Sequence, residues 1–199
     1  MSLMEWLAFV TGVACVYLCV KERDSNWPIG VINSFALLYV FWVAKLYAQA
    51  GLQFFYIFEC FYGWWMWTRR DQSTGRKVIR IGRTNAHTRI ILSVIGIIGV
   101  SILAFLFAKT GDPAPFGDSV ITVASLIAEY MLCLKLLEAW GLYLASDLIA
   151  LALLAYLGQW VTFGTYLCFT FLCVMGILEW LKRLQRNFDP ALSLVNSIR

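Results

Sequence analysis

The chain has 199 residues, 61% of them hydrophobic and only 14% charged, with a mean hydropathy of +0.73. A soluble domain of that composition would be covered in apolar patches, so this surface fits lipid; the formal charge of +4 does not indicate nucleic acid, because the bases lie between apolar runs and not on one polar face. The six cysteines sit inside apolar stretches as small hydrophobes, and His87 has no Cys or carboxylate cluster around it, so neither a metal nor a cofactor is expected.

Crossing about 30 Å of hydrocarbon takes roughly 20 apolar residues in a helix, because every backbone polar group must be satisfied within its own segment. Seven stretches meet that requirement, which predicts an all-α membrane protein. The first, 3–20, has no basic n-region or cleavage site before it and is expected to be a retained helix; Lys21-Glu22-Arg23-Asp24 ends it. The second, 28–47, carries Asn33, and after Ala48-Gln49-Ala50-Gly51 the third, 52–67, carries Gln53, Glu59 and Trp65. A basic stretch from Arg69 to Arg89 leads to the fourth, 90–107, closed by Gly111-Asp112-Pro113. The fifth, 119–137, holds Glu129 and Lys135, and Lys135 is expected to snorkel and pair with Glu138 three residues on. After Glu138-Ala139-Trp140-Gly141 comes the sixth, 141–157, with Tyr143 and Asp147; Gly158-Gln159 separates it from the seventh, 162–180.

In a seven-span chain the loops after spans 1, 3 and 5 share a side with the C-terminus, and that side carries thirteen of the sixteen Lys and Arg residues. The positive-inside rule therefore puts the N-terminus outside and the C-terminus in the cytoplasm. Trp27, Trp64, Trp67, Trp140 and Trp180 fall near the cytoplasmic boundary and read as interfacial rings.

Spans 1–3 and 5–7 share their punctuation. Trp27 precedes Asn33 by six residues and Trp140 precedes Asp147 by seven, while Gly63 to Trp67 and Gly176 to Trp180 both read Gly-x-x-x-Trp before a basic stop. One extra span between two three-helix units keeps them parallel, giving a three-one-three plan: a first repeat over 1–68, a basic cytoplasmic loop over 69–89, a linker helix over 90–110, a second repeat over 111–181 and a tail over 182–199.

An ionisable side chain at the bilayer centre costs about 2.5–3.5 kcal/mol on insertion scales, so Glu59, Glu129 and Asp147 each require a partner or a purpose. With Asn33 and Gln53 as neutral companions, they can glue helices together by hydrogen bonding to Ser, Thr or Tyr neighbours, can stay protonated and silent, or can receive a cationic or donor-rich solute. Aromatic faces would hold a flat heteroaromatic cation: Tyr39, Tyr56, Tyr62, Trp65, Tyr130, Tyr143, Tyr156 and Tyr166 are available, two to four of them are expected in a site, and Trp65, Tyr143 and Trp140 are the candidates taken. A seven-span receptor or membrane-embedded enzyme is the reading from another class, but the last span has no lysine before Lys182 and no nucleophile-base pair lies within a span.

Trp27-Pro28-Ile29-Gly30-Val31-Ile32-Asn33, Lys45-Leu46-Tyr47-Ala48, Gly51-Leu52-Gln53 and Tyr62-Gly63-Trp64-Trp65-Met66-Trp67 resemble the Pnu family of bacterial vitamin transporters. Asp118-Ser119, Lys135, Glu138-Ala139-Trp140 and Gly176 to Trp180 extend the likeness over nearly the whole chain. The resemblance implies seven transmembrane helices in a fold like a full-length SWEET transporter, a homotrimer, and facilitated diffusion across the inner membrane followed by trapping through a cytoplasmic kinase. Nicotinamide riboside transporters carry Trp-x-x-Trp-x-x-x-Asn where this chain has Trp140, Tyr143 and Asp147. That departure favours thiamine as the vitamin, with nicotinamide riboside as the alternative.

Overall fold

A computed structural model of the chain describes residues 3–44, 47–110 and 114–188. Lys45 and Leu46, the Gly111-Asp112-Pro113 break and the tail from 189, with Arg199, lie outside the described residues. Among the described residues the chain forms seven α-helices: α1 (Leu3–Val20), α2 (Asn26–Val43), α3 (Tyr47–Thr68), α4 (Ala86–Ala108), α5 (Pro115–Cys133), α6 (Glu138–Tyr156) and α7 (Trp160–Phe188).

Six of them are long and apolar enough to cross a membrane. The seventh, α3, has 22 residues, about 33 Å at 1.5 Å per residue, and its Trp, Tyr, Gln and Glu content is what lowers its hydropathy. α7 runs for 29 residues, longer than a span needs, so it continues past the expected boundary at 181 and carries Lys182, Arg183 and Arg186 beyond the apolar zone.

The helices form a closed ring of neighbours in the order α1, α2, α3, α5, α6, α7 and back to α1. α4 stands outside it. It has no buried residue; among the described residues it packs mainly on α5, where Gly96 and Gly99 let Ile127 and Val123 come close, and Arg89 near its start pairs with Glu138 of α6. Asn85 caps its start by accepting from the Thr88 amide at 2.7 Å.

Exchanging α1, α2 and α3 for α5, α6 and α7 leaves the order round the ring unchanged, and the details follow at a constant offset of 113 positions. Trp27 and Trp140 each begin the second helix of their half, buried to 1% exposure against Gly63 and Gly176 respectively. A Cβ added to Gly63 would lie 2.3 Å from the Trp27 ring, and one added to Gly176 would lie 2.5 Å from the Trp140 ring. Trp27 then meets Trp67 edge to face at 5.2 Å, as Trp140 meets Trp180 at 5.5 Å, and Trp67 contacts Trp180 at 6.2 Å to join the halves. The four rings read from the sequence as an interfacial belt are therefore a buried core; of the five, only Trp64 is exposed.

α1 and α5 also end alike. Glu22 and Lys135 both take left-handed conformations, with φ of 58° and 54°, and close Schellman motifs: Arg23 N–H donates to Leu18 O at 2.9 Å and Leu136 N–H to Met131 O at 3.0 Å. These equivalent residues bond to each other, Lys135 Nζ to Glu22 Oε1 at 2.5 Å, with the ammonium 4.3 Å from the Trp67 ring. Lys135 is thus in a turn and not in a span, and its partner is Glu22 and not Glu138. Glu138 instead accepts from the Thr84 amide and hydroxyl at 2.9 Å each and pairs with Arg89. Burial holds the Lys135 ammonium below the usual lysine range, against the opposing effect of the Glu22 bond.

The basic stretch after α3 docks on this end. Gly82 N–H donates to Lys135 O, Leu137 N–H donates back to Gly82 O, and Ile81 and Thr84 are buried beneath the bundle.

Candidate functional site

The predicted acids come together inside the ring of helices. On α5, Glu129 Oε2 accepts a bond from the Tyr143 hydroxyl of α6 at 2.5 Å. Glu59 of α3 lies within electrostatic reach of Glu129, and its main-chain carbonyl accepts from the Cys133 thiol at 3.4 Å. Its Oε2 is buried with no hydrogen-bond partner among the described residues.

Tyr56 sits three residues before Glu59 on the same helical face and is near Glu59, Glu129, Tyr143 and Tyr166. Tyr166 of α7 is in turn near Asp147 of α6, whose Oδ2 accepts from the Cys173 thiol at 3.5 Å. The result is a polar seam from Glu59 and Glu129 through two phenols to Asp147. Among the described residues no ion pair reaches any of the three acids.

The other predicted residues lie elsewhere. Asn33 donates to Ala8 O at 2.5 Å and to Thr11 Oγ1 at 3.0 Å, tying α2 to α1. Gln53 is buried and bonds back to Gln49 O at 3.5 Å, within its own helix. Trp65 is 54% exposed, under the Arg69 guanidinium at 4.6 Å, and Trp140 belongs to the buried tryptophan core.

The 113-residue offset corrects the register read from the sequence. Asn33 corresponds to Ser146 and not to Asp147, and the bond from Asn33 to Ala8 O is matched by one from Ser146 to Ile121 O at 3.3 Å. Asp147 corresponds to Ser34, and Cys60 to Cys173. Framework positions therefore agree between the halves, whereas the acid seam does not. The counterparts of Glu129, Tyr143, Glu59 and Tyr56 are Val16, Gly30, Leu172 and Phe169. Matched positions recur at this offset, and the residues that differ between them place the acids on α3, α5 and α6.

A buried carboxylate oxygen without a donor is costly, about 1–3 kcal/mol or more for a charged group, unless something occupies it. Glu59 and Glu129 side by side, with phenols around them, can accept N–H or O–H donors and hold a flat cation against ring faces. Tyr56 and Tyr166 are two of the eight aromatics that the sequence offers for stacking without choosing among them, whereas Cys173 reads there only as a small hydrophobe. The position of Tyr56 one helical turn from Glu59 was a usable signal; the meeting of Cys173 with Asp147 was not visible before folding.

The profile of a family described as nicotinamide mononucleotide transporter matches residues 2–182. Similar curated proteins include the nicotinamide riboside transporter PnuC of Escherichia coli, 24% identical over 97% of this chain and 91% of that protein. Others are PnuC of Neisseria mucosa, 24% identical over 92% of this chain and 74% of that protein, and the riboflavin/roseoflavin transporter RibM of Streptomyces davaonensis, 26% identical over 92% and 86%. Among solved structures, that of the vitamin B3 transporter PnuC matches with a TM-score of 0.72 at 22% identity, covering 92% of this chain and 82% of the other, which shows a shared fold.

Proposed function

Because the chain belongs to the nicotinamide mononucleotide transporter family, a family of membrane transporters and not of enzymes, we propose that it carries nicotinamide riboside across the bacterial inner membrane. The observation that carries this reading is the free acceptor of Glu59 beside the Glu129–Tyr143 pair, in a seam of acids and phenols that no cation pairs with among the described residues. Nicotinamide riboside offers a pyridinium cation, an amide N–H donor and ribose hydroxyls, one for each feature of the seam. Thiamine, the vitamin expected from Tyr143 and Asp147, has no support among the relatives, whose names specify nicotinamide riboside and riboflavin.

The three-one-three plan with domain limits near 68, 89, 110 and 181 belongs to this proposal, supported by the order of neighbours round the ring and by the matched Trp-Gly pairs. Facilitated diffusion, an outside N-terminus and a cytoplasmic C-terminus, and later trapping by a kinase complete it; the basic residues beyond α3 and α7 support the orientation. Assembly as a homotrimer is also part of the reading, and the unburied surface of α4 leaves room for contact between copies.

Uptake of labelled nicotinamide riboside, thiamine and riboflavin into proteoliposomes tests the reading. Nicotinamide riboside should enter fastest, without a proton gradient, and Glu59→Gln should slow it about tenfold or more, as expected for losing a bond to a charged group. Equal uptake by Glu59→Gln, or faster entry of thiamine, would overturn it.

A further inference from the structure

At the end of the bundle occupied by the tryptophan core, a cavity of about 330 Å³ opens between Glu22, Arg80, Ile81, Arg183 and Arg186. Ile81 is its buried floor, Glu22 comes from the turn after α1, and Arg183 and Arg186 come from the part of α7 that extends beyond the apolar zone. Glu22, the acid in the lining among the described residues, is already satisfied. Glu22 Oε1 is bonded to Lys135 at 2.5 Å and Oε2 to Arg183 Nη1 at 3.0 Å. Arg183 also holds Glu179 through Nε and Nη2 at 3.2 and 3.0 Å. Arg80 and Arg186 form no ion pair with any described residue, yet both face the same cavity.

Two unpaired guanidinium groups around one cavity repel each other until an anion lies between them, and their planar forks match the oxygens of a phosphate two at a time. The volume exceeds what one phosphate fills and admits a sugar or glycerol attached to it. From this geometry we propose that the cavity is a phosphate-ester site, separate from the acid seam and independent of what that seam carries. Its ligand is a phosphate presented either by a soluble sugar phosphate or by the headgroup of an anionic lipid. Because Arg183 joins the cavity to Glu22, and Glu22 to Lys135, an occupied site also steadies the bond between the two halves of the ring.

The test uses the purified full chain in neutral detergent and in discs of phosphatidylcholine, with and without phosphatidylglycerol. Ribose 5-phosphate should bind and raise the melting temperature while ribose does neither, and Arg80→Gln with Arg186→Gln should weaken that binding about tenfold or more. The double variant should melt normally without phosphate, since neither side chain has an ion-pair partner to lose among the described residues. If phosphatidylglycerol raises the melting temperature and excludes ribose 5-phosphate from the native chain but not from the variant, the lipid headgroup is the source; if ribose 5-phosphate binds equally in both discs, the soluble ester is. Failure of the native chain to respond to ribose 5-phosphate and to phosphatidylglycerol, or identical responses in the double variant, would sink the proposal whatever the uptake assay gives.

Discussion

In the first half of the ring, Trp27 lies on Gly63, Trp67 meets it edge to face, and Glu22 closes α1; in the second, Trp140 lies on Gly176, Trp180 meets it edge to face, and Lys135 closes α5. These frame positions correspond at an offset of 113, but where the first half has Val16 and Gly30 the second has Glu129 and Tyr143, and where the second has Leu172 and Phe169 the first has Glu59 and Tyr56. On the proposed reading an unsymmetric solute meets unlike groups in the seam, while the matched positions form the frame around it.

The largest test of that comparison is the pair that spans it. Glu22→Gln leaves the buried Lys135 ammonium without its partner and should lower stability by about 3–5 kcal/mol, while Lys135→Met, which leaves Glu22 on Arg183, should lower it far less. A double-mutant cycle by chemical unfolding measures the coupling, and independent, additive effects would show that the two turns do not act together.

Next are the tryptophan seats. Gly63→Ala and Gly176→Ala each push a Cβ into a fully buried ring and should lower stability by about 1–3 kcal/mol, in similar measure. Gly141→Ala, with open space around it, is the control and should be close to neutral or stabilising. A large effect at one seat with none at the other would break the equivalence of the halves.

Smaller still are the bonds to the equivalent carbonyls of Ala8 and Ile121. Asn33→Ala and Ser146→Ala should each cost about 1 kcal/mol in thermal melts, with uptake kept within a few-fold. Loss of uptake in Asn33→Ala alone would move that residue from the frame to the lining.

The mildest test is pH. Lys135 has a folded-state proton affinity below the usual lysine value, so between that lowered value and about 10.5 the unfolded chain binds more protons than the folded one. Stability should therefore rise as pH increases through this window, and Lys135→Met should remove that part of the slope.

Composition, spacing and charge were enough for the helical membrane class and the stretches that became helices, because the bilayer requires about 20 apolar residues per crossing and leaves few alternatives. The acids could also be chosen from the sequence, since an ionisable group among apolar residues is conspicuous. What the sequence could not supply was which groups meet. It placed Lys135 with Glu138 because they are neighbours on one turn, but the left-handed turn at Lys135 aims its side chain at Glu22 on the other side of the ring. It placed the tryptophans at the interface because their rings are amphipathic, but Gly63 and Gly176 open seats that bury them. It aligned Asn33 with Asp147 by motif order, one residue out of the register that the tertiary contacts fix. Each miss has the same physical origin: a span's length and polarity are local properties of the chain, whereas pairing depends on helix faces that are set only when the ring closes.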